Sequence, residues 1–592
     1  MNLIPTLPEN APFTPEQRAW LNGYLAGLLA SGATAPMGAP TEAKPKQPLL
    51  IGFGSQTGSA EGLAKKLGKE AEKRGFLPKV AELNKISPAD LAKESNFVII
   101  TSTWGDGDAP DNAMNFWTAI SAETAPKLEN LSYAVLGLGD KNYSDFCGAG
   151  KKFDERLAGL GAKRLVARGE CDVDYEASAK AWTETVWQLL ESAAPTAPAA
   201  APVVEEKKVK AHEDAPTKWS RNNPFPALLK TNRRLNKAGS AKDTRHFEIV
   251  LEGSGLSYEV GDALGVMPKN DPVLVEELLA TLGFNGDEQV KDANGKDSTL
   301  HEALVSTYVI TQAPPSFIKA AAEKGNNTEL LALLAADKKK ELDAWLWGKD
   351  IVDVLRACGG AKFTVSEFTG FLRKMQPRLY SISSSPKAHP GEVHLTIGAV
   401  RYEGGGRAKK GVASCWLADR VILNDTQVPV FIQTSHGFRL PDNMNKPVIM
   451  VGPGTGIAPF RAFLEERKAT GAKGKNWLFF GDQARATDFL YDDELSAMQA
   501  EGLLTRLDLA FSRDQKEKIY VQTRMLESGA ELWKWLEEGA HFYVCGDAKR
   551  MAKDVDVALH EVAEKFGGLT KEAAADYVAK LKSDKRYQRD VY

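Results

Sequence analysis

The chain has 592 residues, of which 43% are hydrophobic and 26% charged, and its formal net charge is −3. This length predicts about four domains, and the near balance of charge gives no reason to expect nucleic acid or an anionic membrane as a partner. No apolar run reaches transmembrane length and no leader pattern opens the sequence, so we expect a cytoplasmic chain without a membrane anchor. The five scattered cysteines form no CxxC pair, which argues against a disulfide framework and predicts no metal site.

Two segments rich in proline and alanine, residues 31–48 and 193–217, predict linkers because they lack the apolar periodicity of a packed element. The piece before them, residues 1–30, predicts one helix. It begins with the capping-box tetrapeptide TPEQ at 14–17 and continues with an apolar stripe. That stripe needs a cover, which is either the rest of the same chain or a second copy in an oligomer.

Between residues 49 and 192, apolar runs alternate with helical patterns. The runs LLIGF, FVIIT and YAVLGLG end at residues 53, 101 and 139, and a helical pattern separates the first two. This alternation predicts a doubly wound parallel sheet with helices on both faces. Ligands of such sheets bind beyond the carboxyl ends of the strands, so the loops after these runs are the candidate site.

The first loop, residues 55–59, combines serine, threonine and glycine at the start of a helix, which favours an anion. It lacks the lysine of a nucleoside triphosphate loop, so a single phosphate fits it better. By itself such a loop is more often a plain turn. The loops 102–113 and 137–150 each hold an aromatic residue among glycines, Trp104 and Tyr143. Two rings can stack on both faces of a flat ring system, so the three loops together predict a flavin mononucleotide (FMN) pocket.

These loops resemble the flavodoxin-like domain of the diflavin reductases, in which the first loop holds the FMN phosphate and the two aromatic rings enclose the flavin. The resemblance implies that FMN contacts Ser55, Gln56, Thr57, Gly58, Ser59, Ser102, Thr103, Trp104, Gly105, Leu138, Gly139, Asp140 and Tyr143. Residues 101–150 also carry seven acidic residues against two lysines. This stretch is either a solvated loop face or an acidic docking rim for an electron acceptor.

From residue 218 to 445 the sequence predicts a β unit that a largely helical insertion interrupts at about 271–375. Strands are expected at 244–251, 258–268, 378–386, 392–402 and 427–435. The run RLYS at 378–381 places a cation, a ring and a hydroxyl on one strand. The run GVAS at 411–414 is a small-residue turn before a helix, whose start can take a pyrophosphate.

Both runs resemble the ferredoxin-reductase-like domain of the same family, a β-barrel that binds flavin adenine dinucleotide (FAD). The resemblance implies that Arg378 binds the pyrophosphate, Tyr380 stacks on the flavin and Ser381 lies near its reactive N5 atom. The helical insertion resembles the connecting domain that orients one flavin toward the other. The implied FAD contacts are Arg378, Leu379, Tyr380, Ser381, Tyr402, Gly411, Val412, Ala413, Ser414 and Tyr592.

Residues 446–592 predict a third domain, an α/β unit that binds a nicotinamide nucleotide. PVIMVGPGTGIAPFR at 447–461 predicts a strand, a glycine turn and a helix, but it departs from GxGxxG at Ile457, and no acid suited to a ribose hydroxyl follows. The stretch 510–522 instead offers two cations, hydroxyls and a ring, which suit a 2′-phosphate and an adenine. Standing alone, this stretch would be interpreted as a solvated charged loop.

The NADP domain of the diflavin reductases carries three motifs that recur here at 452–461, 512–522 and 543–555. The resemblance implies NADPH contacts at Gly454, Thr455, Gly456, Ser512, Arg513, Lys518, Tyr520, Gln522 and Asp547. It also implies a catalytic set of Ser381, Cys545, Asp590 and Tyr592, in which Cys545 lies beside the nicotinamide, Asp590 assists hydride transfer, and Tyr592 stacks over the FAD ring. Many members have tryptophan at this last position.

Over nearly its whole length, including the ends at 13–29 and 583–592, the chain resembles the flavoprotein (alpha) subunits of bacterial assimilatory NADPH–sulfite reductases. The resemblance implies electron transfer from NADPH to FAD to FMN and on to a separate siroheme, iron–sulfur haemoprotein (the beta subunit), which reduces sulfite to sulfide. It also implies homo-oligomerisation through the N-terminal region. The alternative is a soluble diflavin reductase for a P450-type or other redox acceptor. A non-catalytic assembly subunit is the third reading, against which the intact motifs argue.

Overall fold

The computed structural model describes residues 14, 47–55, 58–103, 107–139, 145–172, 175–192, 218–359, 361–435 and 437–592. The predicted N-terminal helix and the two predicted linkers lie outside these residues, apart from Thr14 and from Gln47 and Pro48, which begin the first strand. Three large sheets, of six, six and five strands, organise the described part of the chain.

The first sheet is parallel throughout. Its strands are β1 (Gln47–Gly54), β2 (Phe76–Glu82), β3 (Asn96–Ser102), β4 (Ser132–Leu138), β5 (Lys163–Arg164) and β6 (Gly169–Cys171). Its helices are α1 (Ser59–Lys73), α2 (Pro88–Leu91), α3 (Asp111–Ser121), α4 (Gly148–Gly159) and α5 (Glu176–Ser192). The strands are ordered β2-β1-β3-β4-β5, with β6 also paired to β4. This is the flavodoxin order, and its direction reverses between β1 and β3, where ligands of such sheets bind.

The first sheet is buried on both faces because its central strands are apolar at every position. In β3, Val98 and Ile100 face a core shared with α1 and α5. The alternate residues Phe97 and Ile99 face a second core shared with α3 and α4. Side chains alternate between the faces of a strand, so an unbroken apolar run such as FVIIT predicts burial on both.

The second unit combines a barrel with an insertion. In chain order its elements are β7 (Phe225–Arg234), β8 (Thr244–Val250), β9 (Ala263–Val266), α6 (Pro272–Leu282), β10 (Gln289–Lys291), β11 (Asp297–Thr299), α7 (Leu300–Ser306), β12 (Tyr308–Val309), α8 (Pro315–Lys324), α9 (Thr328–Leu333), α10 (Lys339–Leu346), α11 (Ile351–Ala357), α12 (Val365–Phe371), β13 (Arg373–Lys374), β14 (Arg378–Ser381), β15 (Glu392–Gly398), β16 (Arg401–Gly404), β17 (Arg407–Lys410), α13 (Val412–Asp419) and β18 (Gln427–Gln433). The barrel strands are ordered β14-β9-β18-β7-β8-β15 and are all antiparallel. A bridge between Ile382 and Leu395 joins the two ends of this order.

The insertion packs its helices α6 to α12 around a core of its own, which includes Leu278, Phe317 and Phe368. Local sequence signals explain where its helices begin. Asp271 caps α6 ahead of Pro272, and Thr364 forms a capping box with Glu367 at the start of α12. The insertion thus stands beside the barrel as a separate packed body.

The third sheet is parallel and ordered β21-β20-β19-β22-β23. Its elements are β19 (Val448–Val451), α14 (Ala458–Ala469), β20 (Asn476–Asp482), α15 (Arg485–Asp488), α16 (Asp492–Ala500), β21 (Arg506–Phe511), α17 (Val521–Glu527), α18 (Gly529–Glu537), β22 (His541–Gly546), α19 (Met551–Gly567), α20 (Lys571–Ser583) and β23 (Tyr587–Val591). A 3₁₀ turn, Gly454–Ile457, lies between β19 and α14. The predicted fold class, an α/β multidomain chain of a flavodoxin-like sheet, a barrel with a helical insertion and a nucleotide-binding α/β unit, is confirmed.

The barrel and the third sheet meet through buried polar groups. The strand predicted at 378–386 ends at Ser381, and two of the serines that follow, Ser383 and Ser385, contact α14. Ser385 donates its N–H to Glu465 at 2.9 Å and its hydroxyl to Glu466 at 2.6 Å. Arg461 donates to the carbonyl of Ser383 at 2.7 Å. These contacts fix the barrel against the nucleotide-binding unit, so residues from both can build one site.

Candidate functional site

The first two loops of the predicted FMN site meet at the carboxyl edge of the first sheet. Ser55 follows β1, and its N–H donates to Asn112 Oδ1 at 2.8 Å, so the start of α3 holds this loop. Thr103 follows β3, and its N–H donates to the carbonyl of Leu138 at the end of β4 at 2.9 Å. The buried hydroxyls of Ser55 and Thr103 have no hydrogen-bond partner among the described residues. Buried hydroxyls are normally satisfied, so these two fit an oxygen-rich ligand such as FMN.

Helix α1 starts directly at this edge. Gly58 precedes it with a φ of 86°, which glycine adopts without strain. Among the described residues, no side chain caps the helix start, so the first N–H groups of this 15-residue helix are open to a ligand. A phosphate placed there would also meet the positive end of the helix dipole.

The second and third loops pack closely around a carboxylate that the sequence analysis missed. A Cβ on Gly107 would lie 2.0 Å from Asp145 Oδ2, and a Cβ on Gly148 would lie 2.3 Å from the same atom. Asp145 therefore fits between two glycines, one from each loop. Gly139 is constrained in the same way, because its Cβ would lie 2.8 Å from the backbone nitrogen of Cys147. The glycines in both loops were the signal that the chain packs closely here.

The described part of the predicted FMN set lies together at this edge: Ser55, Gly58, Ser59, Ser102, Thr103, Leu138 and Gly139. The other members lie outside the described residues: Gln56, Thr57, Trp104, Gly105, Asp140 and Tyr143. The enclosure of the flavin by two aromatic rings therefore stays a prediction.

The RLYS motif forms strand β14 on the barrel. Arg378 is exposed, and its guanidinium donates to the carbonyl of Gln376 at 3.1 Å. Tyr380 is half-buried against the barrel core, and Leu379 is 48% exposed. An exposed cation and a ring with one free face on the same side of a strand suit a pyrophosphate and a flavin.

The GVAS motif begins α13, with Gly411 as its N-cap and with Val412, Ala413 and Ser414 in its first turn. A Cβ on Gly411 would lie 2.5 Å from Ser414 Oγ, so a larger residue would require Ser414 to change its side-chain position. Ser414 Oγ accepts the N–H of Val400 at 3.2 Å, which leaves its hydroxyl hydrogen for another acceptor.

A cavity of about 230 Å³ opens beside this helix start. Tyr402, Gly411 and Val412 line it, together with five cationic side chains, Lys349, Arg407, Lys409, Lys410 and Arg420, and four carboxylates, Asp271, Glu277, Asp350 and Asp419. The ring of Tyr402 is 45% exposed and offers a stacking face. Arg407, Lys409 and Lys410 are paired with carboxylates. The helix start and the exposed ring are therefore the features that suit the diphosphate and adenosine half of FAD.

Three predicted catalytic residues converge from three strands. The register of β22 with β23 places Cys545 opposite Asp590. Ser381 Oγ donates to Asp590 Oδ2 at 2.5 Å, and Cys545 Sγ lies 3.8 Å from the same oxygen. Burial raises the pKa of the Cys545 thiol well above its usual value, and burial also raises the pKa of Asp590. At neutral pH the thiol is therefore a neutral S–H group.

The last residue, Tyr592, lies next to this cluster. Its N–H donates to the carbonyl of Gly546 at 3.0 Å, and its carbonyl accepts the N–H of Ala548 at 3.1 Å. Its hydroxyl lies 3.0 Å from Thr455 Oγ1 in the glycine turn. The side chain is 63% exposed, so its ring has a free face beside both the barrel cluster and the turn.

The glycine turn of the third unit lies against β22. Gly454 has a φ of 57°, and a Cβ on Gly456 would lie 2.1 Å from the carbonyl oxygen of Cys545. Ser512 donates its N–H to the backbone carbonyl of Asp482 at 2.9 Å, which places the loop after β21 at the same edge. Three predicted contacts on this loop are exposed: Arg513, Lys518 and Tyr520. Two cations and a ring on an open loop fit a 2′-phosphate and an adenine.

Two predicted NADPH contacts already have partners within the chain. The Gln522 side chain donates to Asp554 Oδ2 at 3.3 Å. The Asp547 carboxylate accepts three N–H groups at the start of α19, at distances of 3.0 to 3.3 Å. Asp547 thus shapes the loop after β22, and its contact with a nucleotide stays a prediction.

Lys242 is a charged residue at this edge that the sequence analysis did not single out. It lies between β7 and β8 of the barrel and forms an ion pair with Asp482 at the end of β20. The second oxygen of Asp482 is buried and has no hydrogen-bond partner in the part of the chain that the structure describes. No sequence motif marks Lys242, because the pair joins residues that are 240 positions apart.

Three family models match consecutive parts of the chain. The flavodoxin family matches residues 51–182, the FAD binding domain matches 217–416, and the oxidoreductase NAD-binding domain matches 450–556. Their order agrees with the three sheets and with the predicted cofactors FMN, FAD and NADPH.

Curated relatives match the chain over its full length. The sulfite reductase (NADPH) flavoprotein alpha-component of Bacillus subtilis is 46% identical and covers 100% of this chain and 97% of its own. The protein of the same name from Mannheimia succiniciproducens is 45% identical over 98% of this chain and 97% of its own. That of Vibrio vulnificus is 43% identical over 100% of this chain and 96% of its own.

Among the described residues, no helix has both the length and the apolar character needed to cross a membrane. Three observations agree. They are the order of the three family models, the convergence of Ser381, Cys545 and Asp590, and the 43–46% identity to three relatives over 98–100% of this chain. The chain belongs to the family of sulfite reductase (NADPH) flavoprotein alpha-components.

Proposed function

We propose that the chain takes electrons from NADPH and passes them through FAD and FMN to a separate siroheme, iron–sulfur haemoprotein that reduces sulfite to sulfide. The observation that carries the proposal is the Ser381–Asp590–Cys545 cluster between the barrel and the nucleotide-binding sheet. The bound cofactors supply the redox chemistry: NADPH gives a hydride, and the flavins take electrons in a pair and release them singly.

The cluster orients the reacting rings and provides groups that can donate or accept a proton. Ser381 donates to Asp590, which leaves the carboxylate one oxygen for a further donor. Cys545 presents a neutral S–H to the same pocket because burial raises the pKa of its thiol. Cys545 and Asp590 lie on the paired strands β22 and β23, so their positions are fixed before a nucleotide binds. Fixed donors and acceptors cost little reorganisation when charge moves.

With FAD bound, Tyr592 would cover the flavin face in the absence of nucleotide, and nicotinamide would have to displace it. Its hydroxyl is bound by Thr455 in the turn that is expected to take NADPH. A single hydrogen bond contributes about 0.5–1.5 kcal/mol, so the ring is held but can move. A phenol covers less of a flavin than the indole found in many members, which favours displacement.

The proposals about the partner and about the assembly rest on the sequence. The relatives are named flavoprotein components, which implies a second component that contains the sulfite-reducing centre. The linker at 193–217 lets the FMN unit move between FAD and that partner. The apolar stripe within residues 1–30 serves homo-oligomer formation. We expect all of this to take place in the cytoplasm.

The test is an anaerobic reconstitution. The purified full chain is mixed with NADPH, sulfite and the sulfite reductase haemoprotein of the same organism, and sulfide is measured. Sulfide that requires both proteins supports the proposal. Rapid reduction of an artificial dye by NADPH without any sulfide would contradict the acceptor and favour a P450-type or other redox partner. Omission of each protein in turn is the control.

A further inference from the structure

Three of the eight histidines of the chain lie together on one side of the barrel. The rings of His246 and His394 have centroids 5.0 Å apart, and those of His389 and His394 are 4.2 Å apart. His246 and His394 are each only 2% exposed. None of the three contributes to the flavin or nucleotide sites described above.

The strand register explains why these histidines meet two glutamates. In the antiparallel pair β8–β15, Glu248 is opposite His394 and Val250 is opposite Glu392. His246 is two residues from Glu248, and Glu392 is two residues from His394. Side chains two apart on a strand point to the same face. The short patterns H-x-E at 246–248 and E-x-H at 392–394 therefore place four potential ligands on one face.

The ligand atoms are close enough to share one ion. One ligand atom each from His246, Glu248 and His394 lie within 4.8 Å of one another, and a second group of His389, Glu392 and His394 shares the same histidine. His246 Nε2 lies 3.4 Å from Glu248 Oε1, and His394 Nε2 lies 3.4 Å from Glu392 Oε2. Two ligands of a tetrahedral zinc ion are about 3.3 Å apart.

His394 offers an unused ligand atom. Its Nδ1 is buried and has no hydrogen-bond partner among the described residues, whereas buried polar atoms are normally satisfied. An imidazole nitrogen is a common ligand of zinc.

Neighbouring groups hold these side chains by their outer atoms. Tyr491 OH lies 2.9 Å from His246 Nδ1, and Thr231 donates to Glu248 Oε2 at 2.7 Å. Lys230 donates to Glu392 Oε1 at 2.7 Å. The oxygens near the histidines are Glu248 Oε1 and Glu392 Oε2, which are the other atoms of each carboxylate. Ligands of metal ions are typically oriented by such outer hydrogen bonds.

We propose that His246, Glu248 and His394, with Glu392 beside them, bind a divalent transition metal ion such as Zn²⁺. Imidazole and carboxylate ligands suit zinc and related ions. The prediction of no metal site rested on the cysteines alone and did not weigh these strand pairs. Because Tyr491 belongs to the nucleotide-binding unit, the ion also links that unit to the barrel through His246.

The test measures metal binding by the flavin-loaded full chain after treatment with a chelator. Zn²⁺ is added by equilibrium dialysis and counted per chain, and Co²⁺ is added to a second sample. The expected result is one ion per chain, with the visible absorption of tetrahedral Co²⁺ at wavelengths beyond those of the oxidised flavins. Binding without variant dependence, or no binding, would overturn the proposal.

Variants separate this site from adventitious binding. His246→Gln and Glu248→Gln are each expected to weaken Zn²⁺ binding at least about tenfold. Lys230→Met should also weaken it, because the variant removes the hydrogen bond that orients Glu392. His301→Gln is the matched control, since His301 pairs with Glu276 at 3.1 Å on the exposed surface. Flavin content reports folding, and Glu248, which is only partly buried, tests the site if His246→Gln does not fold.

Discussion

Burial sets the acid–base properties of the side chains at the junction of the barrel and the nucleotide-binding sheet. Cys545 and Asp590 belong to paired strands, and Ser381 reaches them from the barrel. The sequence alone did not reveal this meeting, because Ser381 and Asp590 are 209 positions apart. Only the resemblance to diflavin reductases named the three residues together. Their geometry gives that assignment a physical basis that single-residue experiments can test.

Asp590→Asn should slow hydride transfer. The substitution keeps the size of the side chain but removes the charge and the proton acceptor beside Ser381 and Cys545. Groups that move or accept protons in a transition state typically contribute about 10²–10⁴-fold in rate, so we expect at least about a 100-fold loss. Stopped-flow loss of flavin absorbance after mixing with NADPH measures it. Asp584→Asn, which affects a surface pair with Lys580, is the control. Equal rates in the two variants would contradict the role of Asp590.

The same substitution should change how stability depends on pH. Burial raises the pKa of Asp590 in the folded chain, so the folded state holds this proton more tightly than the unfolded state. The carboxyl group therefore stabilises the fold only while it is protonated. This contribution is lost as pH rises from the unfolded pKa, about 4, through the raised folded pKa. Asparagine does not titrate.

We therefore expect Asp590→Asn to gain stability relative to the unmodified chain between pH 4 and pH 8. Urea unfolding of both proteins at several pH values measures the difference. A difference that stays constant, or that moves in the opposite direction, would show that Asp590 is ionised without cost in the folded chain.

Regular elements were the part of the fold that sequence patterns predicted best. Apolar runs of β1, β3 and β4 and the capping signal before α6 mark elements that depend on local sequence. The strand predicted at 378–386 was too long, because Ser383 and Ser385 bind groups of α14 that no local pattern shows. Long-range polar contacts thus decide where an element ends when local signals allow either outcome.

Helix α1 offers a matched pair of glycines. A Cβ on Gly62 would meet no atom within 4 Å, whereas a Cβ on Gly68 would lie 2.6 Å from Val80 Cγ2 of β2. Alanine is favoured over glycine in a helix interior by about 0.8–1 kcal/mol. Gly62→Ala should therefore raise the free energy of unfolding of the first unit by roughly 0.5–1 kcal/mol.

Gly68→Ala should lack this gain or lose stability, because the stiff valine must move. Thermal unfolding of the two variants under the same conditions compares them. If both raise the midpoint equally, the contact between α1 and β2 is looser than the structure indicates.

On the level of the assembled chain, the barrel and the nucleotide-binding unit depend on a buried ion network. Arg461 is 7% exposed and lies 2.7 Å from Glu494 and 2.9 Å from Glu465. Arg461→Met would leave both carboxylates without this partner, and breaking a buried pair costs about 3–5 kcal/mol. Calorimetry should show a lower unfolding temperature for the nucleotide-binding unit and an unchanged unfolding temperature for the FMN unit.

Arg401→Met is the control for that experiment. Arg401 pairs with Asp243 at 2.7 Å and with Asp419 at 2.6 Å, but its side chain is 37% exposed. Exposed ion pairs contribute about 0–1 kcal/mol to stability, so Arg401→Met should hardly change the unfolding temperature. Similar losses in the two variants would mean that Arg461 acts through packing rather than through charge.

The linker at 193–217 should control delivery of electrons to the partner. Its 25 residues are rich in proline and alanine, so at about 3.1 Å per residue they reach at most roughly 80 Å. Deleting ten of them cuts this reach to roughly 45 Å and restricts the FMN unit. We expect slower reduction of the haemoprotein, while NADPH oxidation by an artificial dye stays unchanged.

A shuffled linker of the original length provides the matched control, because it keeps composition and reach but changes the order of residues. Normal delivery by the shuffled chain and slow delivery by the short one would identify reach as the limiting property. Equal loss of dye reduction and haemoprotein reduction in the short chain would contradict a role for linker reach. Such a result would mean that the deletion impairs a step that precedes the movement of the FMN unit. The comparison thus separates electron entry at the barrel from electron exit at the first sheet.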